Sequence, residues 1–369
     1  MGINDVIVFV MIIFSITGAI DKWLGNKWGL GSRFTDGFMA MGSLALAMIG
    51  IVSLAPVLAS VLTPVITPIY SWIGADPAMF ANTLLAVDMG GYALAQVLAG
   101  SKEAELFAWV FLGTMMGPTI VFTIPVALSI IQKEDHVYFA KGILIGIITI
   151  PLGCLVGGGI AGFSFKMMAI NLIPTVLFSL VIAVGLWKIP QHLIRGFHYF
   201  GRIVELITLI GLVAIMVQTM TGYTLIPGLA PISEGIQTVG LIAIMLSGAF
   251  PMVFIITKAF RRHLEKLGSA LGIGEIATAG LVASLAHNIP MLAMMKDMKP
   301  RGKIINTAFA VSGAFVLGGH LGFVAGMNKE MVFAMIIGKL FSGVSAILLA
   351  LAVTRSQRIS EQDEQKISV

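Results

Sequence analysis

The chain is organised around two short stretches, Leu84-Leu85-Ala86-Val87-Asp88-Met89-Gly90-Gly91-Tyr92 and Ser284-Leu285-Ala286-His287-Asn288-Ile289-Pro290. Each one interrupts an apolar segment with polar side chains and with residues that weaken a helix. Asp88 and Asn288 lie 200 residues apart. We interpret the two interruptions as the two halves of one small-molecule site at the centre of a membrane protein.

Composition places the chain in the bilayer. Of its 369 residues, 57% are hydrophobic and 11% are charged, whereas soluble domains carry about 25% charged residues. The apolar runs have helical length, which predicts an all-α polytopic membrane protein and excludes a barrel. The net charge of +5 comes from basic residues between the hydrophobic segments, as in topology-setting loops, so no nucleic-acid partner is predicted.

Hydrophobic segments follow one another along the whole chain, and most reach the roughly 20 residues that a spanning helix needs. The N-terminus lacks the basic region of a signal peptide, so the first segment is predicted to be a retained span. The segments lie near 5–20, 35–69, 78–99, 105–131, 138–160, 166–188, 200–220, 234–258, 273–295, 302–326 and 330–354.

Short motifs recur in the same order at offsets of 195 to 200 residues, which indicates a duplicated unit. The matched positions are Asp36-Gly37 with Glu234-Gly235, Pro56 with Pro251, Gly113 with Gly313, and Lys133-Glu134 with Lys329-Glu330. The predicted divisions are a first repeat at 1–160, a linking helix and loop at 161–199, a second repeat at 200–354, and a cytoplasmic tail at 355–369.

The basic loops set the topology. Strict alternation of eleven spans places loops 258–266 and 296–303 on opposite sides, against the positive-inside rule. If 78–99 and 273–295 are re-entrant hairpins, all basic loops become cytoplasmic, with the N-terminus outside and the C-terminus inside. The prediction is nine spans plus two hairpins in inverted repeats, as in many secondary transporters. A plain bundle of eleven helical segments is the alternative.

Asp88 is the most informative side chain, because an ionised carboxylate within a bilayer needs compensation and usually marks function. We predict that it is the counter-ion of an ammonium group; the alternative is a solvated helix cap. Gly90 permits non-helical backbone, and Tyr92 shares the face of Asp88 if the segment is helical. Asn82 flanks the same interruption and joins the predicted binding set.

Neutral polar groups surround the second interruption. Ser284, His287 and Asn288 are predicted to contact ligand, although Pro290 makes Asn288 equally suited to cap a helix. A further pair of interruptions is predicted at Gly113–Thr119 and Ser312–His320, which adds Gly117, Thr119 and His320 to the binding set. Close helix packing is the alternative role for these glycines.

Nothing in the sequence matches a zinc-protease, nucleophile-elbow or phosphate-loop motif, so no enzyme, cofactor or metal is predicted. The enzyme alternative is an intramembrane centre built from His287, His320 and Asp88. Its spacing follows no recognised pattern.

Across residues 1–355, including Leu85–Tyr92, Gly117-Pro118-Thr119, Ser284–Pro290 and Gly318-Gly319-His320-Leu321, the chain resembles the bacterial ethanolamine-utilisation permease family. The resemblance implies ten or eleven spans in the bacterial cytoplasmic membrane and import of ethanolamine for breakdown in a microcompartment. It implies no particular binding residues. We expect a secondary transporter or facilitator that works by alternating access, through an elevator-like or a rocking motion. Its expected partners are membrane lipids and further copies of the same chain, with a homodimer favoured. A channel for small amines is the alternative.

Overall fold

A computed structural model describes residues 2–354, which form helices and no strand. The predicted tail at 355–369 lies outside these residues. In chain order the helices are α1 (Ile3–Trp23), α2 (Leu30–Ile73), α3 (Ala78–Leu84), α4 (Tyr92–Leu98), α5 (Lys102–Ile130), α6 (His136–Ile160), α7 (Phe165–Lys188), α8 (Pro190–Thr221), α9 (Ile232–Leu271), α10 (Glu275–Ala286), α11 (Asn288–Met294), α12 (Pro300–Gly313), α13 (Gly319–Met327) and α14 (Val332–Val353).

Eight of the described helices are long and apolar enough to cross a bilayer: α1, α2, α5 to α9 and α14. Backbone polar groups in hydrocarbon must be bonded within the protein, and a helix does this inside one segment. The predicted all-helical class and the multi-pass membrane character are therefore confirmed. Each of the eleven predicted segments coincides with one helix or with one pair of helices separated by a short interruption.

Helices α3 and α4, with the turn between them, form a hairpin that we call hairpin A (residues 78–98). Its two ends meet at Asp76. One carboxylate oxygen accepts the Ala78 N–H at 2.9 Å, and the other accepts the Gly100 N–H at 2.8 Å. The chain thus enters and leaves this segment at the same point, as the sequence predicts for a hairpin.

Hairpin A is bonded to α7 as well as to itself. The Asp76 N–H donates to Asn171 Oδ1 at 2.6 Å, and the hydroxyls of Thr83 and Thr175 lie 2.8 Å apart. Asn171 and Thr175 are one helical turn apart, so they face the hairpin together. Thr83 and Thr175 are buried.

Helices α10 and α11 form a second hairpin, hairpin B (residues 275–294), whose ends also meet. Asn306, in the middle of α12, donates through Nδ2 to the carbonyls of Ala277 and Gly302 at 2.9 and 3.0 Å. A Cβ placed on Gly302 would contact the side chain of Ala277. The entry of α10 is therefore packed directly on the exit of the hairpin.

The predicted second pair of interruptions holds for only one of its members. Residues 314–318 separate α12 from α13, and Phe315 has a positive φ of 62°. The prediction is wrong for Gly113–Thr119, where α5 stays helical through Pro118. Instead, α5 contains two wide π turns, Ala108–Leu112 and Thr119–Thr123. Such π turns within an α-helix are rare and are frequently found at functional sites.

Both hairpin turns rest on glycines. A Cβ on Gly117 of α5 would collide with the Leu85 carbonyl, and a Cβ on Gly318 would collide with the Ala286 carbonyl. Leu85 and Ala286 are 201 residues apart, as are Gly117 and Gly318. The inverted relation of repeats 1–160 and 200–354, and the division of the chain that follows from it, stay predictions.

Candidate functional site

A cavity of about 460 Å³ lies between α2, α9 and the turns of both hairpins. Helices α2 and α9 pack closely at Gly37, where a Cβ would collide with the backbone of Ser247. The cavity is lined by Arg33, Asp36, Ala40, Ser43 and Leu44 of α2, by Leu246, Phe250, Val253, Phe254 and Thr257 of α9, and by Asp88, Ala286, His287, Phe315 and Gly319.

Asp88 reaches this cavity because the backbone around it leaves the helix. Ala86 is extended, with φ −64° and ψ 152°, and its carbonyl accepts the N–H groups of Met89 and Gly91 at 2.9 Å each. Gly90 has a φ of +104°, a conformation that side chains other than glycine rarely adopt. The resulting turn presents the partly exposed Asp88 side chain to the cavity.

The charged side chains in the cavity wall differ in whether they have an ion-pair partner. At the mouth, Arg33 and Asp36 form an ion pair at 3.1 Å, and both side chains are 49% exposed. Within the described residues, Asp88 forms no ion pair and does not cap a helix. An ionised carboxylate in a bilayer is costly when it lacks a partner. The cavity therefore offers one carboxylate with free capacity for a cation.

His287 lines the same cavity from hairpin B. It is extended, with φ −160° and ψ 139°, and its Nδ1 accepts the Ile289 N–H at 3.2 Å, so it caps α11. The alternative in which Asn288 caps this helix is wrong by one residue. Because Nδ1 is an acceptor here, the proton of a neutral ring lies on Nε2, where it can be donated to a ligand.

Aromatic rings surround His287. The Phe315 ring centroid lies 4.8 Å from that of His287 and 5.0 Å from that of His320, and Phe122 lies 5.9 Å from Phe315. The Phe315 N–H donates to the Ser284 carbonyl at 3.0 Å. Segment 314–318 and hairpin B are thus joined by backbone hydrogen bonds as well as by rings.

Of the ten predicted binding residues, Asp88 and His287 line the cavity, and the other eight are not among its lining residues. Asn82 joins the two legs of hairpin A, because its Nδ2 donates to the carbonyls of Ala78 and Gly91 at 3.2 and 3.1 Å. Gly90 gives the Asp88 turn its shape through its positive φ, and Gly117 of α5 packs against the backbone of the same turn at Leu85. Their part in binding stays a prediction.

The predicted hydroxyl and amide groups have protein partners. The Thr119 hydroxyl donates to the Met115 carbonyl at 2.8 Å, and the Ser284 hydroxyl donates to the Gly280 carbonyl at 3.0 Å. Asn288 Nδ2 donates to Thr123 Oγ1 at 2.9 Å, which ties hairpin B to α5. These three predicted residues are fully buried in this conformation.

Tyr92 and His320 are also not among the residues that line the cavity. Because the Asp88 turn is not helical, Tyr92 does not share the face of Asp88 as expected. Its ring packs edge-on against Trp109 and Phe323, and its hydroxyl accepts from Gln96 at 2.9 Å. His320 is 5% exposed, and its Nδ1 accepts no hydrogen bond within residues 2–354.

A buried lysine of the interior is absent from the predicted set. Lys339 of α14 is fully buried, and its Nζ donates to the Thr114 carbonyl at 2.5 Å. It is the only charged residue of the helix Val332–Val353, a signal that the sequence already contained. Within the described residues, no group of three or more His, Cys, Asp and Glu side chains is placed to hold a metal ion.

Comparison with known proteins decides the family. The family model described as "Ethanolamine utilisation protein, EutH" matches residues 3–353. The chain belongs to this family. It is 58% identical over 366 residues to the probable ethanolamine permease EutH of Listeria monocytogenes, covering 99% of this chain and 98% of the relative.

Two further relatives cover similar lengths. The chain is 62% identical over 362 residues to the uncharacterized protein YxeR of Bacillus subtilis, with 98% of each chain covered. It is 46% identical over 389 residues to the probable ethanolamine permease EutH of Salmonella typhimurium, with 95% of each covered. No solved structure matches the chain. The predicted family is confirmed, and the permease names agree with the prediction that the chain is not an enzyme.

Proposed function

We propose that this EutH family member imports ethanolamine across the bacterial cytoplasmic membrane. The observation that carries the proposal is Asp88, a carboxylate that faces the cavity without an ion pair in the described part of the chain. Ethanolamine is a small ammonium alcohol, so it supplies the missing positive charge. The relatives named as probable ethanolamine permeases support the same substrate.

The two ends of the substrate match the two hairpins. The ammonium pairs with Asp88 of hairpin A, and the hydroxyl accepts a hydrogen bond from Nε2 of His287 of hairpin B. The cavity, at about 460 Å³, has room for ethanolamine together with water. Thr119, Ser284, Asn288 and His320 are proposed to approach the substrate only when the hairpin turns close around it.

The cavity mouth favours a cytoplasm-facing state. Arg33 and Asp36 lie at the start of α2, and Arg33 and Lys258 both lie over the ring of Phe254, at 5.6 and 5.9 Å. Cationic residues at the ends of spans lie on the cytoplasmic side as a rule. We place the mouth there, with the N-terminus outside and the C-terminus inside. Alternating access then requires a second, outward-open state, reached by an elevator or rocking motion.

The proposed orientation predicts a labelling pattern. A membrane-impermeant maleimide added to intact cells is expected to label Thr224→Cys, which follows α8, and to spare Lys299→Cys, which precedes α12. Both positions are exposed, and the native Cys154 is buried and silent. Permeabilised cells are the control, because both variants should then react. Labelling of Lys299→Cys in intact cells contradicts the inverted-repeat topology.

Transport itself is tested with purified protein in proteoliposomes. Labelled ethanolamine added outside is expected to accumulate transiently in vesicles preloaded with unlabelled ethanolamine, and to be recovered chemically unchanged. The assay belongs at mildly acidic pH, because the neutral amine crosses bilayers unaided. A channel gives uptake without saturation or counterflow, and that result removes the alternating-access proposal. No uptake above empty vesicles removes the ethanolamine proposal.

A further inference from the structure

Lys339 lies in an apolar interior, and its hydrogen-bond partner is a neutral carbonyl group. Its side chain is fully buried in α14, and its Nζ donates to the Thr114 carbonyl of α5 at 2.5 Å. In the described part of the chain, no carboxylate forms an ion pair with it. A buried lysine is expensive to keep, so its hydrogen bond needs a specific reason.

The reason lies four residues beyond Thr114. In an α-helix the carbonyl of one residue accepts the N–H of the residue four positions on, and position 118 is proline, which has no N–H. Pro118 has helical backbone angles, so the helix continues past a carbonyl that it cannot bond. Lys339 supplies the donor that Pro118 lacks. The Thr114 hydroxyl is occupied elsewhere, by the Val110 carbonyl at 2.6 Å.

The same turn of α5 supports hairpin A. A Cβ on Gly113 would collide with Asn82 Oδ1 and approach the Val87 side chain, and one on Gly117 would collide with the Leu85 carbonyl. Thr114 lies between these two glycines. The residues they support, 82–87, lead directly into Asp88. A change in the path of α5 at Thr114 therefore changes the position of the Asp88 turn.

We propose that Lys339 is a positioning residue. By donating to the Thr114 carbonyl, which Pro118 leaves unbonded, it fixes the part of α5 that supports hairpin A and thereby holds Asp88 in the cavity. This inference rests on the proposed role of Asp88 in binding ethanolamine. Its essential property is a hydrogen-bond donor at this point, and its charge plays no part in transport.

A double-mutant cycle with Pro118 tests the inference. Lys339→Met is expected to raise the KM of ethanolamine uptake about tenfold, the effect of leaving one buried carbonyl unsatisfied. Pro118→Ala restores an N–H that bonds the Thr114 carbonyl within the helix. The double variant Lys339→Met/Pro118→Ala is therefore expected to recover a KM within about threefold of the parent.

Ser342→Ala is the matched control, because Ser342 is buried on α14 and bonds Ser312 at 2.7 Å. Its effect should be the same in both Pro118 backgrounds.

Two further variants separate a donor from a charge and from a folding defect. Lys339→Gln keeps an uncharged donor that is one atom shorter, and should be less impaired than Lys339→Met. In an Asp88→Cys background, Lys339→Met should change the rate at which a small thiol reagent labels Cys at position 88, and Pro118→Ala should restore that rate. This readout needs no ethanolamine, so it still decides the inference if ethanolamine uptake fails. The inference is overturned if Lys339→Met changes the KM and the labelling rate equally in both Pro118 backgrounds, or if Lys339→Met changes neither of them.

Discussion

Asp88→Asn is expected to lower ethanolamine uptake at least about 100-fold, while the protein still reaches the membrane. The two side chains have the same shape, so the change removes the charge and leaves the turn in place. A charge-assisted hydrogen bond in a poorly solvated site contributes about 3 kcal/mol, which corresponds to roughly two orders of magnitude in affinity. Labelled ethanolamine uptake at mildly acidic pH, normalised to the amount of protein in the membrane, measures the effect.

Asp36→Asn is the matched control for this prediction. Asp36 lines the same cavity, but it is half exposed and already paired with Arg33 at 3.1 Å. An exposed ion pair contributes about 0 to 1 kcal/mol, so uptake should fall by less than about fivefold. Asp88→Glu keeps the charge on a longer side chain and should be intermediate. Full uptake by Asp88→Asn would remove Asp88 from the binding site.

The second large effect is expected at the glycines under the hairpin turns. Gly318→Ala places a methyl group against the Ala286 carbonyl, and Gly117→Ala does the same against the Leu85 carbonyl. A backbone atom cannot rotate away as a flexible side chain can, so the hairpin turn has to shift. Overpacking of this kind costs about 1 to 3 kcal/mol. Each variant is expected to lose at least about tenfold in uptake and to unfold at lower temperature.

Gly240→Ala in α9 is the comparison, since a Cβ there meets no atom within 4 Å. It should retain uptake and thermal stability, and it should gain slightly from the better helix propensity of alanine. Uptake and thermal unfolding in detergent are measured on all three variants. If Gly117→Ala and Gly318→Ala behave like Gly240→Ala, the hairpin turns do not depend on these contacts.

The helical segments could be predicted because the bilayer allows few solutions. A run of apolar residues long enough to span must be helical, so length and composition locate α1, α2, α5 to α9 and α14. The hairpins were also predictable, because polar residues and glycines interrupt 78–99 and 273–295. The continuity of α5 was not, because the donor that completes it at Pro118 comes from Lys339, 225 residues away along the chain.

The sequence indicates the charged group of the candidate site better than it indicates the geometry of the site. Asp88 is conspicuous in an apolar segment, whereas the wall opposite it is formed by residues such as Phe250 and Val253 that carry no polar signal. The face of Tyr92 was predicted on helical spacing, and the positive φ of Gly90 removes that spacing. The cap of α11 was misplaced by one residue because histidine and asparagine both offer an acceptor there.

The two bonds between hairpin A and α7 have a mechanical consequence. Asp76 and Thr83 fasten the first leg of the hairpin to Asn171 and Thr175 at both ends of its length. Asp76 also closes the loop at Gly100, so the two ends of the hairpin are held together. Any motion that displaces hairpin A must therefore carry α7 with it or break these hydrogen bonds. Helix α7 is thus mechanically coupled to hairpin A, and cross-linking α7 to α8 tests whether α7 moves during transport.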